Sequence, residues 1–238
     1  MTMKYYISDP HFYHRYCEDM DHRGFETMFA MHEYMIEQWN SRITDDDEVF
    51  VIGDFSFGRG IETWKILNQL KGRISLVEGN HDGWYLDDAE FTDTFENVAV
   101  YYEIKDRDRE VILCHYPMPF YNHQYHMDRE GKPLTYMLYG HIHNTFDEYY
   151  LMKVTDKLKS IERYGIEGEI EKTPFQMINT FCMYSNYVPL TLDEWIELDA
   201  KRKQLIRDFE KQKGGELNID DWQQLNQIIV EKARNNWQ

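Results

Sequence analysis

Cysteine is scarce in this 238-residue chain: Cys17, Cys114 and Cys182 are odd in number and far apart. That argues against a disulfide framework and fits reduced thiols in a cytoplasmic protein. Long apolar runs are missing as well, and none approaches the ~18 residues of a membrane span. Residues 1–8 run straight into strand-like sequence, so no basic-then-apolar leader and no membrane partner are expected. There is no internal repeat and no Pro- or Gly/Ser-rich linker. Basic charge is the last shortage. Twenty-six Lys and Arg against forty-three Asp and Glu give a net charge of −17. Non-specific grip on a nucleic-acid backbone needs a basic face, so that partner class is disfavoured. Residues 191–238 carry ten acidic and eight basic side chains, which leaves −15 for the first 190 residues. An acidic chain can still hold an anionic substrate if some carboxylates bind divalent cations.

What is present is a globular composition, 42% hydrophobic and 29% charged, at the size of one large α/β domain with or without an extension. Residues 3–8 read as a short buried strand that ends in a turn at Ser8-Asp9-Pro10. Apolar positions from Phe25 to Ile43 fall at helical spacing. Glu48–Gly53 reads as a buried strand, Ile61–Leu70 as a helix and Arg73–Glu78 as a third strand. This alternation predicts parallel strands with crossover helices. Further strands are expected at Val98–Ile104, Val111–Cys114, Tyr136–Tyr139 and Gln176–Ile178, in antiparallel or mixed pairing. Residues 147–172 are charged and roughly helical and interrupt this series. Thr191-Leu192-Asp193-Glu194 is a capping box before an apolar run. Gly214-Gly215 stops that helix, and a last one follows with Trp222, Leu225 and Ile229 on one face.

The ten histidines carry most of the information. Five lie in polar clusters at the C-terminal ends of predicted strands: Asp9-Pro10-His11, Gly79-Asn80-His81-Asp82, Cys114-His115 and Gly140-His141-Ile142-His143. Gly53-Asp54 closes another strand. Loops at the carboxyl ends of strands converge on one crevice in open α/β sheets. Oxygen and imidazole donors gathered there suit Mn²⁺, Fe or Zn²⁺, while the lack of Cys donors argues against a structural zinc site. Each cluster alone is weak; a lone His after a strand usually just satisfies a local hydrogen bond. Gly140-His141-Ile142-His143 says more, because alternate residues leaving a strand share a face.

In this order the clusters resemble the calcineurin-like metallophosphoesterase superfamily. The stretch Ser8-Asp9-Pro10-His11-Phe12-Tyr13-His14 is similar to its small bacterial and phage members. The resemblance covers roughly residues 3–190. It implies an α/β fold of two mixed β-sheets packed as a sandwich and flanked by helices, with a C-terminal helical extension at 191–238. It also implies metal-dependent hydrolysis of a phosphoric ester, a mono- or diester, by two divalent ions. Mn²⁺ is favoured, with Fe, Zn²⁺ and Ni²⁺ as alternatives. Residue by residue, Asp9, His11 and His143 would hold one ion, and Asn80, His115 and His141 the other. Asp54 would bridge both, and a hydroxide between the ions would be the nucleophile. His81 would be catalytic, touching the phosphate or protonating the leaving oxygen.

Two departures limit the resemblance. The protein-phosphatase branch has an acid three residues after the metal Asp, where this chain has Phe57, and Arg59 lies one residue later than the family arginine. A protein phosphatase is therefore not implied. The alternative readings are a nuclease and a non-catalytic metal-binding scaffold, but the chain keeps all seven ligand positions and His81. His14 is close enough in sequence to reach the site, His123 and His126 lie in a loop after His115, and His32 and Cys114 read as packing residues. Residues 147–172 begin just after a ligand, so they are expected to form a mobile rim or lid that restricts the site to a small phosphoester.

Overall fold

A computed structural model describes residues 2–91, 94–165 and 168–237. The elements in chain order are β1 (Lys4–Ile7), α1 (Cys17–Asp21), α2 (Met28–Arg42), β2 (Glu48–Ile52), α3 (Gly60–Leu67), β3 (Arg73–Val77), α4 (Gly83–Leu86) and β4 (Asn97–Ala99). Then follow β5 (Tyr102–Asp106), β6 (Arg109–Leu113), β7 (Thr135–Tyr139), α5 (Phe146–Lys159), β8 (Glu162–Tyr164), β9 (Ile170–Lys172), β10 (Met177–Asn179), α6 (Leu192–Lys213) and α7 (Ile219–Arg234).

The first sheet, ordered β1-β2-β3-β4, is parallel throughout its strands. Its central strands are continuous apolar runs because both of their faces are covered. The second sheet, ordered β10-β7-β6-β5, is mixed: only β5 runs antiparallel to its neighbour. The two sheets lie against each other. Phe50 of β2 meets the Tyr102 ring of β5, and the Tyr6 hydroxyl donates to Asp106 Oδ2 at 3.0 Å. Residues of the second sheet alternate accordingly. Val111, Leu113, Leu138 and Ile178 join the main core, while Ile112, Cys114, Met137 and Met177 build a smaller cluster on the other face. Cys114 thus packs away from the site side, as its position before His115 predicts.

One expected strand divides. Val98–Ile104 is not continuous: β4 completes the first sheet and β5 opens the second, so the chain changes sheets at Val100–Tyr101. The Thr191–Glu194 capping box is formed as read, and the same device, Asn218 with Asp221, starts α7.

Residues 147–172 behave differently from expectation over their helical part. α5 is anchored, with Glu148, Tyr149, Met152 and Thr155 buried. Glu148 accepts from the Tyr139 hydroxyl (2.9 Å), Asn179 Nδ2 (3.0 Å) and Arg202 Nη2 (2.7 Å). Glu148 is thus half of a buried ion pair with α6. The β8–β9 hairpin is the exposed part of the segment, and Ile166 and Glu167 lie outside the described residues. The main apolar cluster also takes in Trp195, Ile206, Trp222 and Ile229, so α6 and α7 share one core with the sheets.

Candidate metal centre

Five strands, β1, β2, β3, β6 and β7, each deliver one or two of the anticipated residues at their carboxyl ends. Asp9 and His11 follow β1, Asp54 follows β2, Asn80 and His81 follow β3, His115 follows β6, and His141 and His143 follow β7. The backbone turns sharply to do this. Asp9 (φ 54°), His11 (55°), Asp54 (52°), His141 (71°) and His143 (47°) all adopt the left-handed conformation that side chains with a Cβ rarely take. Such residues cost about 1–3 kcal/mol each and persist where the surroundings fix them, commonly at functional sites. The glycines beside them are sterically required. A Cβ on Gly53 would sit 2.0 Å from His115 Nδ1, one on Gly79 would sit 2.3 Å from Asp54 Oδ1, and one on Gly140 would sit 2.4 Å from Asp9 Oδ2.

The side chains converge in two groups that meet at one oxygen. Donor atoms of Asp9, His11, Asp54 and His143 lie within 4.8 Å of one another, and all four residues are buried. On the solvent side, Asn80 Oδ1 is 2.9 Å from His141 Nδ1 and 3.1 Å from His115 Nε2. Asp54 Oδ2 stands between the groups, 3.5 Å from His11 Nε2 and 3.4 Å from His115 Nε2. Its other oxygen is already used, accepting the His81 backbone N–H at 2.9 Å.

Contacts behind these residues set their orientation. His143 Nδ1 is 2.9 Å from Asp21 Oδ1, while Arg23 binds Asp21 Oδ2 and donates to the carbonyls of Pro10 and Asp9. His115 Nδ1 faces the Ile52 carbonyl at 3.0 Å, and His11 Nδ1 faces His14 Nδ1 at 3.1 Å. Each of these three imidazoles therefore turns Nε2 inward. Asp82 is buried and accepts from the backbone N–H groups of Asp54, Phe55 and Gly79 and from the Tyr85 hydroxyl. It braces two of the strand ends and does not pair with the His81 ring beside it in sequence. The sequence did not reveal Asp21 and Arg23, and it left the role of Asp82 open.

Electrostatics favours a cation here. Burial opposes ionisation of Asp54, but the neighbouring imidazoles of His11 and His115 outweigh it and hold the carboxyl far below its usual range. Asp9 is likewise held low against burial, mainly by His143. Burial would lower His143, yet Asp9 and Asp21 raise it to about 10, and Asp9 and Asp54 raise His115 against burial to about 9. Burial wins at His11, which falls to about 4. Two buried acceptors, Asp9 Oδ2 and His11 Nε2, have no hydrogen-bond partner. Unpaired buried polar atoms are costly, and a divalent cation would satisfy both. The donor set, carboxylate, imidazole and amide oxygen without thiolate, suits Mn²⁺, Fe or Zn²⁺.

His81 faces an open cleft with Asn80, Phe57, Arg59, Trp84, Asp87 and Asp88. Where the resemblance led one to look for an orienting acid, the Phe57 ring lies 4.3 Å from that of His81 and stacks on His14 at 3.9 Å. None of the described residues among 147–172 lines this cleft. Its wall comes from α4 and the β2–α3 loop.

With the fold and the site in view, the class follows. The calcineurin-like phosphoesterase superfamily domain matches residues 6–165, and the chain belongs to that superfamily. It is 28% identical over 212 residues to the uncharacterized protein MJ1445 of Methanocaldococcus jannaschii, covering 85% of this chain and 96% of that one. Its fold is similar to that in the crystal structure of the protein of unknown function AQ665 from Aquifex aeolicus, with a TM-score of 0.54 and 20% identity over 83% of this chain and all of the other. Among the described residues no helix is long and apolar enough to cross a membrane.

Proposed function

We propose that the chain is a metallophosphoesterase that hydrolyses a small phosphoric mono- or diester at a dinuclear centre. One observation carries the reading: Asp54 Oδ2 stands between an inner donor group and an outer one, each within 3.5 Å, as a shared carboxylate must. Asp9, His11 and His143 would hold the inner ion and Asn80, His115 and His141 the outer one. Two such ions would supply acidification of a bound water and stabilisation of charge on the phosphoryl oxygens.

The protein's own contribution is positioning and proton transfer. Backbone turns and glycines hold the donors in place, so little reorganisation is needed as charge develops. The inner donors are sealed from water, while Asn80 and His141 are exposed and Asn80 lines the cleft, so the ester enters on the outer side. His81, at the boundary and part-exposed, is placed to protonate the leaving oxygen. Arg59 and Trp84 line the same cleft and would meet the leaving group. The net charge of −17 speaks against long nucleic acids.

Elemental analysis of the purified protein, with hydrolysis of an aryl phosphate and an aryl phosphodiester in added Mn²⁺, tests the proposal. Two ions per chain and metal-dependent turnover are expected. Metal-free protein without turnover in Mn²⁺, Fe²⁺, Zn²⁺ or Ni²⁺ would overturn it. Oligonucleotide cleavage in the absence of small-ester turnover would replace it with a nuclease.

A further inference from the structure

A second group of metal-ligating side chains lies outside the strand-end centre. Donor atoms of Glu110, His123 and His126 fall within 4.8 Å of one another on the protein surface. Glu110 is near the start of β6, whereas His115 lies just past its end, about 16 Å away at ~3.3 Å per strand residue. The two groups therefore cannot share an ion.

The loop after His115 is built to present this pair of imidazoles. Tyr121 and Gln124 turn inward. The Tyr121 hydroxyl accepts the Gln176 N–H at 2.9 Å, and Gln124 Nε2 donates to the carbonyls of Pro119 (3.2 Å) and Pro174 (2.8 Å). His123 and His126 consequently face outward, in a turn closed by His126 N–H to His123 O at 2.9 Å. The far side of the turn is tied to the start of β7 by Leu134 N–H to His126 O. Their rings lie nearly parallel, 4.3 Å apart with 12° between planes. Glu110 turns its carboxylate to His123 Nδ1 rather than to Lys105 across the ladder.

We propose that Glu110, His123 and His126 form a further metal site, which takes a borderline divalent ion of the Zn²⁺ class. Two imidazoles and one carboxylate are a known three-ligand set for zinc, with the fourth position left to water. Bond lengths of 2.0–2.2 Å place the donors of a tetrahedral site roughly 3.4 Å apart, which short side-chain movements from the present spacing achieve. An ion there would clip the loop to β6 and replace the His123–Glu110 hydrogen bond with coordination.

The test is a count by difference. Wild-type protein and the His123→Ala/His126→Ala variant are dialysed against micromolar buffered free Zn²⁺ and their metal content is measured. The variant should hold one equivalent fewer, and Glu110→Gln should weaken that equivalent by at least about tenfold. Equal content in wild type and variant would overturn the site. The difference does not depend on how many ions the strand-end centre holds, so failure of the proposed hydrolytic role leaves it readable. Should the double variant not fold by circular dichroism, His126→Gln carries the same test, since it leaves the His123–Glu110 contact in place.

Discussion

Asp21 Oδ1 and His143 Nδ1 lie 2.9 Å apart although the residues are 122 positions apart in the chain. This contact decides which imidazole nitrogen faces Asp9, so it is a positioning contact. Asp21→Asn should lower metal affinity by about 10–100-fold, the usual effect of removing a partner behind a ligand. Titration of metal into apo-protein, with thermal melting as a control for folding, checks this. Unchanged affinity would remove Asp21 from the account.

Asp54 is the carboxylate between the two donor groups. Asp54→Ala or Asp54→Asn should abolish turnover and empty both positions, as read by elemental analysis. A variant that keeps two tightly bound ions contradicts the bridging role.

His81→Ala should instead keep both ions and lose turnover by roughly 10²–10⁴-fold, the size of a general acid–base contribution. An ester with a very acidic leaving group should restore much of the rate, because such a group departs without a proton. Loss of metal from this variant would mean that His81 is a ligand.

The ion pair of Arg202 with Glu148 is buried, and the Arg202→Ala change leaves Glu148 without its charge partner. A destabilisation of about 3–5 kcal/mol is expected, because removing one member strands the other in the core. Urea denaturation measures it. Replacing Arg202 and Glu148 together by Met and Gln should cost less than Arg202→Ala alone.

His32 supplies a pH dependence independent of metal. It is buried, its Nε2 accepts the Tyr13 N–H at 2.8 Å, and burial, aided by the Arg23 charge, pushes its pKa down to about 4. The unfolded chain takes up this proton below about 6.5, whereas the folded one resists until about 4. Stability should therefore fall as pH drops through that window. His32→Gln, which keeps an acceptor without a titrating ring, should show a shallower fall. Parallel profiles for both proteins would exclude this role.

The donors at the strand ends could be read from sequence because apolar runs closed by polar clusters mark both the strand and its carboxyl end. The clusters that contain Asp9, His11, Asp54, Asn80, His115, His141 and His143 follow from that local rule, while the choice of these residues as ligands is what the family resemblance implies. Asp21 and Arg23 could not be read this way, because their partners are brought to them only by tertiary folding. Asp82 was visible but its direction was not: the neighbour of His81 in sequence turns into the protein to hold three backbone amides. The anchoring of α5 was hidden for a related reason: the arginine that pairs with Glu148 lies 54 residues later. The break at Val100 is equally non-local, since Val98 and Ile104 are good strand residues serving different sheets.

α7 reaches the candidate metal centre through backbone carbonyls beside it. Trp222 Nε1 and Asn226 Nδ2 both donate to the Asn144 carbonyl next to His143, and Arg234 donates to the carbonyl of Arg23. Because α7 shares one core with the sheets, the turn that carries His143 is braced only when the whole domain is folded, and loosening this helix would loosen that turn.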